Sequence, residues 1–237
     1  MVKYVPDRMH GFGERPHFEP RELDSMFEHL AVAFLKKKHG TVSFPFTTED
    51  LKTFIEQHVE DLDQYADLTP YGTGVEGLTE FRPGVGKPKV AVSVALQSNE
   101  NRQRTTLAHE FGHVHLHAYL FEIAGRQTSA LPPNNKANGI YCKRDTMLTA
   151  SKVDWREWQA SYASSALLMP ASYVRKTVAP VHERLGIFGA VLPDSQHGRA
   201  LVDAVAVEYR VSKDAARVRL SVLGLLGQPS GTGSLFA

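Results

Sequence analysis

His109-Glu110-Phe111-Gly112-His113 sets two imidazoles four residues apart in a stretch patterned as a helix, where Leu107, Phe111 and Val114 recur at intervals of four and three. A helix turns about 100° and rises 1.5 Å per residue, so positions i and i+4 stand nearly above one another, roughly 6 Å apart. Rings so placed both reach one tetrahedral Zn²⁺ at about 2.0–2.1 Å. Glu110 projects beside such an ion rather than onto it, where a general base takes a proton from attacking water. The pattern therefore asks for a helix with one buried stripe and a further ligand from elsewhere. Its chemistry is that of a zinc hydrolase, most simply a peptidase.

The competing reading is a histidine-rich surface, since the chain has 11 histidines in 237 residues and His115 and His117 follow at once. The buried stripe and the polar start at Asn99, Glu100 and Asn101 favour paired ligands. Composition removes several other classes. Cys142 is the only cysteine, which rules out an intramolecular disulfide and a structural zinc site built on several cysteines. It also fits a reducing cytoplasm. With Lys+Arg 27 against Asp+Glu 26, the net charge of +1 leaves no global footprint for nucleic acid. No apolar run approaches the ~18 residues that cross a bilayer, and Met1–Asp7 lacks the apolar core of a signal peptide. A cytoplasmic protein with no membrane partner is expected.

Around the motif, residues 1–18 read as an irregular arm rich in Pro, Gly, His and Arg. A helix starts at Pro20 with Leu23, Met26, Phe27, Leu30, Phe34 and Leu35 on one face, and stops at Gly40. Lys36, Lys37 and Lys38 read as a solvated last turn complementing the helix dipole. Thr47 or Thr48 caps a second helix that buries Leu51, Phe54, Ile55, Val59 and Leu62. Strands are expected at Gly77–Arg82 and Lys89–Leu96, the second a candidate edge for holding an extended substrate by main-chain pairing. Residues 124–140 read as a loop, and the tail from Gly227 onward as frayed. Leu201, Val202, Val205 and Tyr209 form one helical stripe, and Ser212 caps another from Ala215 to Leu223. This pair looks superficially like a helix-turn-helix with Arg217 and Arg219 as DNA contacts, but the neutral net charge favours two packing helices.

A catalytic zinc needs a third protein ligand. His117 lies four residues beyond His113 but about 12 Å along the axis from His109, and His115 points to another face. Glu157, in the helix opened by Asp154-Trp155-Arg156-Glu157, is the better candidate. Asp154 and Glu157 also match a capping box, in which Glu157 would merely bond the Asp154 amide, and spacing alone does not decide.

Thr105-Thr106-Leu107-Ala108-His109-Glu110-Phe111-Gly112-His113, followed by Glu157-Trp158-Gln159-Ala160 and Ala166-Leu167-Leu168-Met169-Pro170, resembles the ImmA/IrrE family of metallopeptidases. That family pairs a TLAHExGH helix with a downstream ExxAN…LLMP helix. The resemblance covers about 70 residues, Arg104 to Tyr173, and the two motifs in order are far more specific than HExxH alone. It implies His109, His113 and Glu157 as metal ligands and Glu110 as catalytic base. Ser161 stands where the family usually has asparagine, and Ala163 where phenylalanine is common; both departures touch the packing behind the ligands rather than the ligands themselves.

The resemblance further implies an α+β fold: a zincin-like metallopeptidase core with a small β-sheet and the HExxH helix, flanked by N- and C-terminal helices. Expected divisions are 1–65 for the arm and first helices, 66–175 for the core and 176–237 for a helical region with its tail. The activity implied is zinc-dependent endoproteolysis of a helix-turn-helix transcriptional repressor, in a stress response or the control of a mobile element. The rival is a non-catalytic DNA- or partner-binding regulator with a retained metal site. Glu110 argues against it, because a structural site has no use for a base beside its ligands. Tyr141, Arg144, Tyr162 and His182 are candidate donors to the oxyanion, none of them singled out by the sequence.

Overall fold

The N-terminal stretch is a β-hairpin rather than an irregular arm: β1 (Lys3–Pro6) pairs antiparallel with β2 (Glu14–His17). Its turn is built by Asp7, whose carboxylate accepts the backbone N–H groups of Met9, His10 and Phe12 at 3.1, 2.9 and 3.0 Å. Asp side chains close turns in this way. Pro6 and Pro16 hid the strands from the sequence, because proline is tolerated only where a ladder bond can be spared. The computed structural model describes residues 3–127, 139–143 and 154–227.

Helix α1 (Pro20–His39) starts with proline in its first turn and ends at Gly40, whose φ of 75° is the left-handed conformation that closes a helix. The lysine run complements the dipole as expected, and Lys38 Nζ also reaches Asp50 Oδ1 at 2.9 Å. Asp50 sits in α2 (Thr48–Glu56), capped by the Thr47 hydroxyl, which accepts the Asp50 N–H at 3.1 Å. This helix is shorter than expected. Val59 is buried beyond its end, and Leu62 belongs to a strand, β3 (Asp61–Ala66), that continues the apolar spacing of α2 and so escaped notice.

Three more strands complete a sheet: β4 (Val75–Glu80), β5 (Lys89–Ser93) and β6 (Gly139–Lys143). The order is β3-β5-β4-β6, with β3 parallel to β5 and the other neighbours antiparallel. β5 is therefore interior, with both its ladders used. It cannot be the edge that holds a substrate strand, and that expectation is corrected.

The motif helix, α3 (Glu100–Gln127), packs against α2, the sheet and α4 (Trp155–Leu168), which in turn packs on α1. Residues 106–114 are all buried, so this stretch of α3 is enclosed on every side where one apolar stripe was expected. Of the loop expected at 124–140, residues 124–127 continue the helix, 139 and 140 open β6, and 128–138 lie outside the described residues.

Contacts divide the chain into two compact units, Met1–Leu168 and Met169–Ala237. The second unit holds α5 (Ala171–Leu185), α6 (Gln196–Tyr209) and α7 (Lys213–Val222). Ser212 caps α7 as expected, accepting the Ala215 N–H at 3.1 Å. Of its two arginines, only Arg217 faces solvent. Arg219 is fully buried and donates from Nε to the Met169 carbonyl at 2.9 Å, while Arg217 pairs with Asp194 at 2.7 Å. The tail beyond 227 lies outside the described residues. Among the described residues the fold is mixed α+β, with seven α-helices, and no helix is long and apolar enough to cross a membrane.

Candidate metal centre

The site is made where α3 and α4 cross. A side chain on Gly112 would place its Cβ 2.9 Å from the Ala160 Cα and 3.0 Å from the Ala160 carbonyl oxygen, so only glycine admits this approach. One turn of α4 before Ala160, Glu157 then faces the histidines of α3. His109 Nε2 and His113 Nε2 are 3.0 Å apart. Glu157 straddles them, with Oε2 3.3 Å from His109 Nε2 and Oε1 3.3 Å from His113 Nε2. The capping-box alternative for Glu157 is not what forms. Its carboxylate faces the imidazoles, while Asp154 Oδ1 accepts from the Arg156 N–H at 3.2 Å and the His10 ring at 2.9 Å.

This trio fits a metal ion. Ligands at about 2.0–2.1 Å around a tetrahedral centre stand about 3.3–3.4 Å from each other, close to the separations here. All three residues are buried, and Glu157 Oε2 has no well-formed hydrogen bond to offset its burial. A buried carboxylate beside two converging ring nitrogens is a donor set that a cation satisfies. Burial pushes the His113 imidazole below its ordinary protonation range. Burial would raise the Glu157 carboxyl, but the adjoining His113 and His109 hold it well below the usual carboxylate range. Neutral imidazole and ionised carboxylate are the forms that bind metal.

Behind the two histidines runs a second set of contacts. His113 Nδ1 lies 3.0 Å from His117 Nδ1, and His117 Nε2 lies 3.1 Å from Gln159 Oε1. Gln159 Nε2 donates to the Pro16 carbonyl in β2 at 3.0 Å. On the other ring, Ser161 Oγ is 3.4 Å from His109 Nδ1. His117 thus stands behind His113 rather than beside the trio. His115 turns the other way into a cluster with Phe27, His58 and Phe111, and burial lowers its pKa to about 4.

Glu110 turns toward the sheet. The Thr79 hydroxyl on β4 donates to Glu110 Oε2 at 2.5 Å. Gly77, two residues earlier on the same face, leaves the space the carboxylate fills: a Cβ there would come within 2.1 Å of Glu110 Oε1. Neither residue stood out from the sequence as part of the site. A glycine inside a strand pattern does signal close approach by another group, and Gly77 is such a case. Of the candidate oxyanion donors, Tyr162 donates to Asp24 at 3.0 Å and is turned toward α1, and His182 belongs to the second unit. The Tyr141 side chain and Arg144 lie outside the described residues.

A search of curated proteins finds no match. The family model described as the IrrE N-terminal-like domain, a peptidase family, matches residues 87–221, more than half of the chain, and spans α3 and α4 with the whole His–His–Glu trio. With that match laid over a buried donor set suited to a cation, the chain belongs to the ImmA/IrrE family of metallopeptidases.

Proposed function

We propose that this protein is a cytoplasmic zinc endopeptidase with a zincin-like core, in which His109, His113 and Glu157 hold the metal and Glu110 is the general base. The observation that carries this reading is the spacing of the trio, 3.0–3.3 Å between donor atoms, with an ionisable carboxylate on the next residue of the same helix. Zinc bound there supplies Lewis acidity toward a peptide carbonyl and toward water. Glu110 accepts the proton of the attacking water and returns it to the departing amine nitrogen. Thr79 holds one Glu110 oxygen and Gly77 leaves room for the other, so the base is aimed before substrate arrives. Such preorganisation lowers a barrier because the polar groups need not reorient during reaction.

The substrate proposed is a helix-turn-helix transcriptional repressor, cut at a specific bond to relieve repression in a stress response or a mobile element. Support for this substrate comes from the family alone. A protease of this type is expected to spare casein-like substrates. The test is incubation of zinc-loaded protein with repressors encoded beside it, in parallel with Glu110→Gln. Cleavage by the wild type and none by Glu110→Gln is expected. Cleavage that survives the substitution removes Glu110 as base, and uncut repressors across the set remove the proposed substrate class. The DNA-binding alternative loses one of its two candidate contacts with Arg219 buried against the Met169 carbonyl.

A further inference from the structure

The hydrogen bonds behind His113 have a direction, and it is set from their far end. The Pro16 carbonyl can only accept, so Gln159 must present its amide nitrogen there, as it does at 3.0 Å. That turns Gln159 Oε1, also an acceptor only, toward His117 Nε2 at 3.1 Å. His117 therefore carries its proton on Nε2. Its other nitrogen, Nδ1, is a lone pair in the neutral ring, and it faces His113 Nδ1 at 3.0 Å. The proton of that contact belongs to His113. What remains on His113 is an Nε2 lone pair, aimed at His109 and Glu157. Both rings are fully enclosed, where an uncompensated charge is costly and the neutral ring is favoured.

We propose that His117, Gln159 and the Pro16 carbonyl form a positioning relay that fixes the tautomer and ring orientation of His113, making the N-terminal hairpin part of the support of the metal centre. The relay rests on the reading of His109, His113 and Glu157 as ligands. Its last member lies far outside the matched family span of 87–221. The hairpin is held against α4 at two further points: Asp7 Oδ1 accepts the Trp155 indole N–H at 3.0 Å, and the Arg15 guanidinium lies 5.3 Å from the centre of the Trp155 ring, which in turn meets the His117 ring of α3 edge-on at 5.4 Å. Among the described residues His109 has no comparable chain, its Nδ1 standing 3.4 Å from Ser161 Oγ. Of the two histidines, His113 is the one whose donor atom is preset. Groups behind metal-bound histidines act in this way, orienting the ring and raising its basicity.

Nitrogen NMR of the full-length protein labelled at histidine reads the tautomers directly. The wild type is expected to show protons on His117 Nε2 and His113 Nδ1; the reverse pattern overturns the relay without any variant. Zinc affinity, measured by competition with a chelator, supplies the second reading. Gln159→Met removes the acceptor and should weaken zinc binding by about 10- to 100-fold while releasing His117 into a mixture of tautomers. Gln159→Glu keeps an acceptor for His117 but loses the donor to Pro16, and should restore only part of the lost affinity. Wild-type affinity and unchanged tautomers in Gln159→Met overturn the relay while leaving the ligands intact. A wild type that takes up no zinc overturns the ligand reading instead, and the relay with it.

Discussion

Gly112 and Ala160 bring α3 and α4 together so closely that a single methyl group on Gly112 would meet the Ala160 backbone at 2.9–3.0 Å. Both obstructing atoms belong to or sit on the main chain, so no rotamer change relieves the contact. The distance from Glu157 to the two histidines depends on this crossing. Gly112→Ala should force the helices apart, destabilise the fold by about 1–3 kcal/mol and weaken zinc binding. Thermal unfolding with and without zinc checks this: the added stability that zinc gives the wild type should shrink in the variant.

Gly77 does for Glu110, the proposed base, what Gly112 does for the proposed ligands. Gly77→Ala would press its methyl group into the Glu110 carboxylate and displace it from the Thr79 hydroxyl. Turnover should fall by about 100-fold or more, the scale of a lost general base, with zinc content unchanged. Metal analysis and repressor cleavage on one preparation separate these effects. Loss of zinc together with activity would mean that Gly77 supports the ligands instead.

The pH dependence of hairpin docking follows from Asp7. Burial would raise its carboxyl, but the N–H groups of Met9, the Trp155 indole, His10 and Phe12 hold it below the usual range. Folding thus favours the charged form. The stabilisation is complete above the unfolded-state value near 4 and fades as pH falls through the lower folded-state value. Asp7→Asn should lower the unfolding midpoint by a few degrees at pH 7, equivalent to about 1 kcal/mol at this partly exposed position, and the gap should narrow below about pH 4. A gap that stays constant across that window would show that the Asp7 charge contributes nothing.

How far the sequence spoke depended on whether a relationship was local. His109, Glu110 and His113 were legible because spacing by four is a property of the helix itself. Ser212 was legible as a cap for the same reason, and the cap of α2 was narrowed to Thr47 or Thr48, of which Thr47 forms it. Glu157 was ambiguous by spacing, since a capping box and a metal ligand look alike until the helix crossing is known; the family resemblance, not periodicity, favoured the ligand. Thr79, Gln159 and Pro16 reach the site across 31, 42 and 143 residues of chain, and no local pattern records such contacts. The hairpin was hidden by its prolines. β3 was hidden because Val59 and Leu62 extend the apolar period of α2, so the wrong element absorbed them.

Zinc content measured after exhaustive dialysis, in the wild type and in Glu157→Gln, tests the central claim most directly. Glu157→Gln keeps the side chain's size and removes its charge from between two imidazoles. A stoichiometric ion in the wild type and its loss from the variant is the result expected. Equal zinc in both proteins would contradict a centre built on His109, His113 and Glu157.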